Sequence, residues 1–260
     1  MKVIKKELSN EFTYVNIYPL ADLHIGSKHF KRKILEMHLN TINNDPNALL
    51  ILNGDLVNNS TKDSVGDIYE ETLNPEEQID LLVELFEPLK DKIIGVVCGN
   101  HEARTYKATG ISILKNFCYR LGLIDVYSNV ANLTFLSFGK SRGRDTVKQT
   151  FTIYNSHGRG GGKMIGSKAN RVHNLSSIVP NADLYIHSHT HAPITFKDSY
   201  ISADTRNKGV SIQNRLFVNT NAYEGFDGYG EVIGLAPSNH DMVKVQLSYD
   251  KRNKFCKATL

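Results

Sequence analysis

The segment Asp183-Leu184-Tyr185-Ile186-His187-Ser188-His189-Thr190-His191 closes a short apolar run with imidazoles at alternate positions, His187, His189 and His191. Alternate side chains of a strand share a face, so this spacing can bring several ring nitrogens to one place. Neutral imidazole is a common ligand of divalent transition metals, and metal binding is the chemistry the segment suggests. Similar residues follow apolar runs elsewhere: Asp22 and His24, Asp55, then Asn100 and His101, with His157 in the second half. Carboxylate, carboxamide and imidazole donors in this ratio suit manganese first, or iron, zinc, cobalt or nickel, better than calcium or thiolate-bound zinc. Asp22, His24, Asp55, Asn100, His157, His189 and His191 are too many for one ion with an open position. They suit two divalent ions with one carboxylate bridging.

Regular elements must carry these residues to one place. Phe12 to Leu20 reads as a strand ending at Asp22 and His24, and Phe30 to Asn43 as an amphipathic helix. The continuous apolar run Ala48 to Leu52 predicts a strand covered on both faces, ending at Asn53-Gly54-Asp55. Asn74-Pro75-Glu76-Glu77 is a capping-box variant that starts a helix to about Leu89, and Ile93 to Cys98 is a further buried strand. A helix over Ile111 to Leu121 should close on Gly122. Beyond it short strands follow, Leu133 to Phe138, Val147 to Asn155, Asp183 to His187, Ile194 to Lys197, Leu216 to Asn219 and Val243 to Tyr249, with a helical stretch from about Ser167 to Ile178. Open α/β sheets place their sites at strand C-terminal ends, where these polar residues fall. The expectation is an α/β protein of two packed sheets, the first half linked by helices and the second more meandering, with residues 1–260 as one domain.

Composition narrows the class. A net charge of +4 is too mild by itself to argue for nucleic acid or membrane. Cys98, Cys118 and Cys256 are odd in number and widely spaced, which indicates neither a disulfide framework nor a thiolate metal site and fits a reducing cytosol. The basic start is followed by no apolar leader, and no apolar run approaches the roughly 20 residues that span a bilayer. A cytoplasmic protein without membrane contact is expected, in the host cytoplasm if the chain is phage-encoded. Residues 63–91 hold ten acidic residues against one basic, read as the solvated face of a helix and its loop, while residues 140–171 hold eight basic against one acidic. The basic run surrounds His157-Gly158-Arg159-Gly160-Gly161-Gly162-Lys163 and reads either as a solvated loop or as a cradle for a phosphate backbone.

Several chemistries are excluded. Gly161 to Gly166 is followed by Ser167-Lys168 rather than Lys-Ser, so there is no Walker A loop. The histidine cluster lacks the Asp-His continuation of metallo-β-lactamase-type hydrolases and the Glu of a His-Glu-x-x-His helix, and no Cys or Ser triad signature is present.

The ordered blocks Asp22-x-His24, Gly54-Asp55, Gly99-Asn100-His101-Glu102, His157 and His189-x-His191 resemble the calcineurin-like metallophosphoesterases from Asp22 to His191, about two-thirds of the chain. The resemblance implies a four-layer αββα sandwich with two metals at the sheet edge. By the same likeness one metal takes Asp22, His24 and His191, the other Asn100, His157 and His189, and Asp55 bridges them. His101 would stand beside the ions, held by Glu102 or Asp55, and donate to the leaving alkoxide or stabilise its charge. Arg104 would hold a phosphate oxygen. A shared water of depressed pKa would act as the attacking hydroxide. Ser188 departs from the family, which usually has Gly there, and this puts the loop geometry in question more than the ligation.

The implied substrate is a phosphate ester. Gly54-Asp55-Leu56-Val57-Asn58-Asn59 lacks the Asp-Arg-Gly continuation of the protein Ser/Thr phosphatases, and His-x-His replaces their single late His. The Asp22-Leu23-His24-Ile25-Gly26-Ser27-Lys28 block looks like the nuclease branches, and the compact size is similar to stand-alone phage and bacterial members. The expectation leans to a phosphodiesterase or nuclease acting on DNA or nucleotides. The alternatives are a small-molecule phosphomonoesterase and, from another class, a non-catalytic nucleic-acid-binding subunit. Ligand loss would mark the last, and here all seven positions are filled.

Overall fold

The structure is a computed structural model that describes residues 1–9, 11–62, 64, 68–139, 141–142, 145–146, 148–160, 162–226, 236–250 and 253–260. Of the sequence features above, Asp63, Asp67, Lys140, Arg144, Val147 and Gly161 lie outside the described residues.

Alternation within the apolar runs builds the layers. In β3 (Ala48–Leu52), Leu49 and Ile51 face one cluster while Ala48, Leu50 and Leu52 face another, and all five are buried. This strand lies between β2 (Tyr14–Leu20) and β4 (Ile93–Val97), parallel to both. With β5 (Tyr127–Ser128), β13 (Lys244–Asp250) and β14 (Asn253–Thr259) they form a six-stranded sheet in the order β14-β13-β2-β3-β4-β5. The second six-stranded sheet runs β1-β6-β9-β10-β12-β11. Its strands are β1 (Lys2–Glu7), β6 (Ala131–Phe138), β9 (Gln149–Ser156), β10 (Leu184–His187), β11 (Ile194–Asp204) and β12 (Gly209–Asn219). A two-strand ribbon, β7 (Ser141–Arg142) with β8 (Asp145–Thr146), sits between β6 and β9 in the chain.

Both sheets are mixed. In the second, β10 is parallel to β9 and β12, while β6 is antiparallel to β9. Val15, Ile17, Leu49, Ile51 and Ile94 of the first sheet meet Leu136, Phe151, Ile153, Leu184, Ile186 and Val218 of the second in a shared core. The outer face of the first sheet is covered by α1 (Arg32–Asn44), α2 (Pro75–Phe86) and α4 (Ile113–Arg120) through Leu35, Leu39, Ile42, Ile79, Leu82, Leu114 and Phe117. On the outer face of the second, Val172 of α5 (Ile165–His173) packs with Tyr154, Tyr185 and Phe217. The result is the helix, sheet, sheet, helix order expected of the sequence.

Element ends follow their local chemistry. Asn74 Oδ1 accepts from the backbone N–H groups of Glu76 and Glu77, and Glu77 returns a bond to the Asn74 N–H, which completes the capping box. The helix expected from Ile111 begins at Ile113 because Ser112 caps it, and Gly122 follows its end at φ 72°. An unforeseen helix, α3 (Glu102–Thr109), starts inside the Gly99-Asn100-His101-Glu102 block.

Candidate metal centre

The polar residues gather where β2, β3, β4, β9 and β10 end. Asp22 and His24 follow β2, Asp55 follows β3, Asn100 and His101 follow β4, His157 follows β9, and His189 and His191 follow β10. Among the described residues, three groups have donor atoms within 4.8 Å of one another: Asp22, His24 and His191; His24, Asp55 and His101; and Asp55, His157 and His189. Asp55 thus stands between an Asp-His-His set and a His-His set. Asn100 joins the latter, its Oδ1 3.2 Å from His157 Nε2.

These spacings bear on whether the residues fit metal ions. Ligand atoms each about 2.1 Å from one ion, at octahedral to tetrahedral angles, lie roughly 3.0 to 3.4 Å apart. His24 Nε2 is 3.2 Å from His191 Nε2, and His191 Nε2 is 3.3 Å from Asp22 Oδ1. His157 Nε2 is 3.0 Å from Asp55 Oδ2. Asp22 Oδ1 is fully buried with no aligned hydrogen-bond donor, a costly condition that a cation relieves. The donor set fits divalent metal.

Two of the imidazoles, those of His157 and His24, have Nδ1 partners that aim Nε2 into the site. His157 Nδ1 is 2.8 Å from the Asn53 carbonyl and donates to it, which turns the lone pair of Nε2 to the site. His24 Nδ1 lies 3.3 Å from Asn58 Oδ1, and Asn58 Nδ2 in turn donates to Glu71 Oε1 at 2.6 Å. Glu71 is therefore a half-buried support, unlike Glu76, Glu77, Glu84 and Glu87 of the same acidic run, which face solvent as expected. Asn53 ties the two sheets together beneath the site, donating to the Ser156 carbonyl at 2.9 Å and to Ser188 Oγ at 2.7 Å.

Backbone conformation is unusual here. Non-glycine residues avoid positive φ, which costs about 1 kcal/mol or more. Yet φ is 51° at Asp22, His24 and Asp55, 69° at His189 and 50° at His191. Strain that recurs at five donors points to a function for their placement. The glycines of the motifs serve close approach. A Cβ on Gly54 would stand 2.7 Å from the Gly99 nitrogen, and one on Gly99 would stand 2.1 Å from Asp55 Oδ1.

Glu102 clamps this approach. Its fully buried carboxylate accepts from the backbone N–H groups of Gly99 (2.8 Å) and Asp55 (3.1 Å) through Oε2, and of Leu56 (2.6 Å) and Val57 (3.2 Å) through Oε1. Burial, reinforced by the Asp55 charge, raises its pKa. The Asp55 carboxyl is opposed by burial, yet the imidazoles of His157, His101 and His24 hold it well below the usual carboxylate range. Burial likewise opposes the charge on His157, but Asp55 beside it pushes its pKa up to about 10, so a cation must displace the Nε2 proton before that nitrogen can ligate. His191 is raised in the same way by Asp22, against desolvation.

His101 behaves differently. Burial pushes its pKa down to about 3, so the ring is neutral near neutral pH. Glu102 does not hold this ring: its Nδ1 donates to the Asn58 carbonyl at 2.7 Å, and Nε2 lies 3.0 Å from Arg104 Nη2. Asp55 Oδ1 accepts instead from the His101 backbone N–H at 2.8 Å. Arg104 also donates to the Asn58 carbonyl at 3.2 Å, which places its guanidinium against the site wall.

The alternation of His187, His189 and His191 does not put all three on one face. The strand ends at His187, and the left-handed turns at His189 and His191 aim the later rings. His187 is buried apart from the donor sets, with Nδ1 2.8 Å from Asn219 Oδ1. Ser188 needs no glycine, because its φ is not positive and its Oγ accepts from Asn53 and from Thr220 Oγ1 at 2.9 Å. One residue the motifs did not flag also faces the site. Glu224 Oε2 is 4.0 Å from His24 Nε2, and Glu224 Oε1 accepts from Ser27 Oγ at 3.1 Å. Burial acts against its charge, but His24 and His191 lower its pKa.

An αββα sandwich with clustered Asp and His donors at the sheet edge defines a metallohydrolase class. The model of the calcineurin-like phosphoesterase family matches residues 15–193, and the chain belongs to that family. It is thus a metal-dependent hydrolase of phosphoric esters. Among solved structures it is similar to a conserved uncharacterised protein, a predicted phosphoesterase, from Streptococcus pneumoniae TIGR4, at 12% identity and a TM-score of 0.37, covering 95% of this chain and 90% of that one. No curated protein matches.

Proposed function

We propose that the chain is a two-metal phosphodiesterase acting on nucleic acid or nucleotides, with residues 1–260 working as one cytoplasmic domain. The observation that carries this reading is the position of Asp55 between the Asp22, His24, His191 set and the His157, His189 set. Asp22, His24 and His191 would hold one cation, Asn100, His157 and His189 the other, with Asp55 shared. Manganese suits this oxygen and nitrogen donor set. Two divalent cations supply water activated for attack and positive charge against phosphoryl oxygens.

The chain's own groups do the rest. Asp55, fixed by the Glu102 clamp, sets the spacing of the two donor sets. Asp55 Oδ2 lies 3.8 Å from His101 Nε2, so that nitrogen borders the site. Arg104 donates to it, and a phosphate oxygen entering there would draw the guanidinium off the imidazole. Freed of the guanidinium, His101 Nε2 would take up a proton from solvent, which the negative charge of the substrate favours, and pass it to the departing alkoxide. Arg159, Lys163 and Arg171 are exposed in the segment after His157 and could track a phosphate backbone into the site.

The test is turnover with Mn²⁺ of bis-p-nitrophenyl phosphate against p-nitrophenyl phosphate, followed by labelled single- and double-stranded DNA. Preference for the diester with cleavage of DNA at low salt supports the reading. Preference for the monoester with intact DNA replaces it with a phosphomonoesterase.

A further inference from the structure

Glu224 is fixed more firmly than its place in a loop suggests. The neighbouring backbone is laced to the start of the chain: Tyr223 N–H donates to the Asp22 carbonyl at 2.9 Å, Lys31 N–H to the Tyr223 carbonyl at 2.8 Å, and Gly225 N–H to the His29 carbonyl at 2.9 Å. Glu224 itself forms a bridge pair with Phe30. One carboxylate oxygen is held by Ser27 Oγ, and the other lies 4.0 Å from His24 Nε2. The side chain is 29% exposed where that of His24 is 3% exposed, so the carboxylate stands at the mouth and the imidazole beneath it. The tight donor set Asp22, His24 and His191 does not include Glu224. The carboxylate is near enough to act by its field and stands outside the cluster that would share an ion.

A negative charge at the mouth of a phosphate site acts on the substrate. A phosphodiester carries one negative charge, whereas a monoester carries two above its second pKa of about 6. Repulsion scales with the charge, so its cost in free energy is about doubled for the monoester. We infer that Glu224 is a specificity-determining residue that disfavours dianionic phosphomonoesters relative to monoanionic diesters. This rests on the diesterase reading above and adds a residue to it.

The experiment compares wild type with Glu224→Gln, which keeps the shape and a hydrogen-bonding partner for Ser27, and with Glu224→Asp, which keeps the charge. At about pH 8, kcat/KM for bis-p-nitrophenyl phosphate should rise about threefold in the Gln variant and that for p-nitrophenyl phosphate about tenfold, the square of the first factor. Calorimetry should show inorganic phosphate, a dianion under those conditions, binding about tenfold tighter to the Mn²⁺-loaded Gln variant. Mn²⁺ affinity, measured separately, should fall, because the field that repels an anion attracts a dication, so substrates and phosphate are compared at saturating Mn²⁺. The Asp variant should keep the wild-type ratio of the two substrates. Equal changes for both substrates, or unchanged phosphate affinity, would overturn the inference. The wild-type preference for diester or monoester tests the diesterase reading, while the change in that preference on removing the charge tests Glu224, so the two can fail independently.

Discussion

Replacing Glu102 by Gln asks whether the clamp on the Asp55 turn is as strong as its geometry implies. The carboxylate receives four backbone N–H groups, two on each oxygen, and it is 1% exposed. A carboxamide keeps one acceptor oxygen, so two of those N–H groups would face an NH₂ group that cannot accept. Each buried donor left without a partner costs about 1 to 3 kcal/mol, so the loss should be about 4 kcal/mol. At roughly 2 to 4 °C per kcal/mol for a chain of this size, the melting temperature should fall about 8 to 16 °C. Because the released N–H groups belong either to Gly99 and Asp55 or to Leu56 and Val57, the turn at Asp55 loosens in both cases and the two donor sets should also lose register. Mn²⁺ affinity should fall about 10- to 100-fold, the usual effect of losing a ligand's support. Urea unfolding and calorimetric Mn²⁺ titration measure both effects. A destabilisation under about 1 kcal/mol with unchanged Mn²⁺ affinity would refute the clamp.

Other expectations concern the metals, the leaving group and acid stability. Chelation should abolish turnover, and Mn²⁺ at about 100 times its Kd should add about 2.7 kcal/mol to stability, seen as a rise of about 5 to 11 °C in the melting temperature. An unmoved melting temperature would count against ion binding by the folded chain. His101→Ala should cut turnover of esters with poor leaving groups by about 100-fold or more while metal content stays intact, and unchanged turnover would remove His101 from the chemistry. Asp45 is opposed by burial but accepts from Asn16 Nδ2 at 2.7 Å, Tyr18 Oη at 2.8 Å and the Asn47 N–H at 2.9 Å, which hold its pKa below the ordinary value. A depressed folded-state pKa gives stability that is present above the unfolded value of about 3.9 and is lost as pH falls through the folded one. Asp45→Asn should therefore cost about 1 kcal/mol at neutral pH, given the partial exposure of Asp45, and the gap from wild type should close in acid below about pH 4. A gap independent of pH would show that the charge contributes nothing.

The buried strands were legible because their chemistry is local. Ala48–Leu52 and Ile93–Val97 are apolar at every position except Gly95, and the structure covers them on both faces. The edges were not. In β1 only Ile4 is buried among lysines, and β11 and β12 extend well past the expected segments, with Ile201 and Ile212 paired across an exposed hairpin. That pairing satisfies their backbone groups without a core to pattern the side chains. Helix α3 has no side-chain cap and buries only Glu102, so neither a cap nor an apolar stripe announces it. The candidate donors could be picked out by residue type and order, but their supports could not. Ser27 and Glu224 meet across 197 positions, and the role of Glu102 depends on backbone groups about 45 residues away, separations at which no periodicity or motif carries information. The aim of His189 and His191 depended on left-handed turns that break the strand alternation.

The most direct measurement is a crystal structure of the Mn²⁺-soaked protein with anomalous difference maps collected at the manganese edge. The account predicts two peaks roughly 3.5 to 4 Å apart, both within bonding distance of Asp55, one among Asp22, His24 and His191 and the other among Asn100, His157 and His189. A single peak in a fully loaded crystal, or a pair that leaves Asp55 uncoordinated, would contradict it.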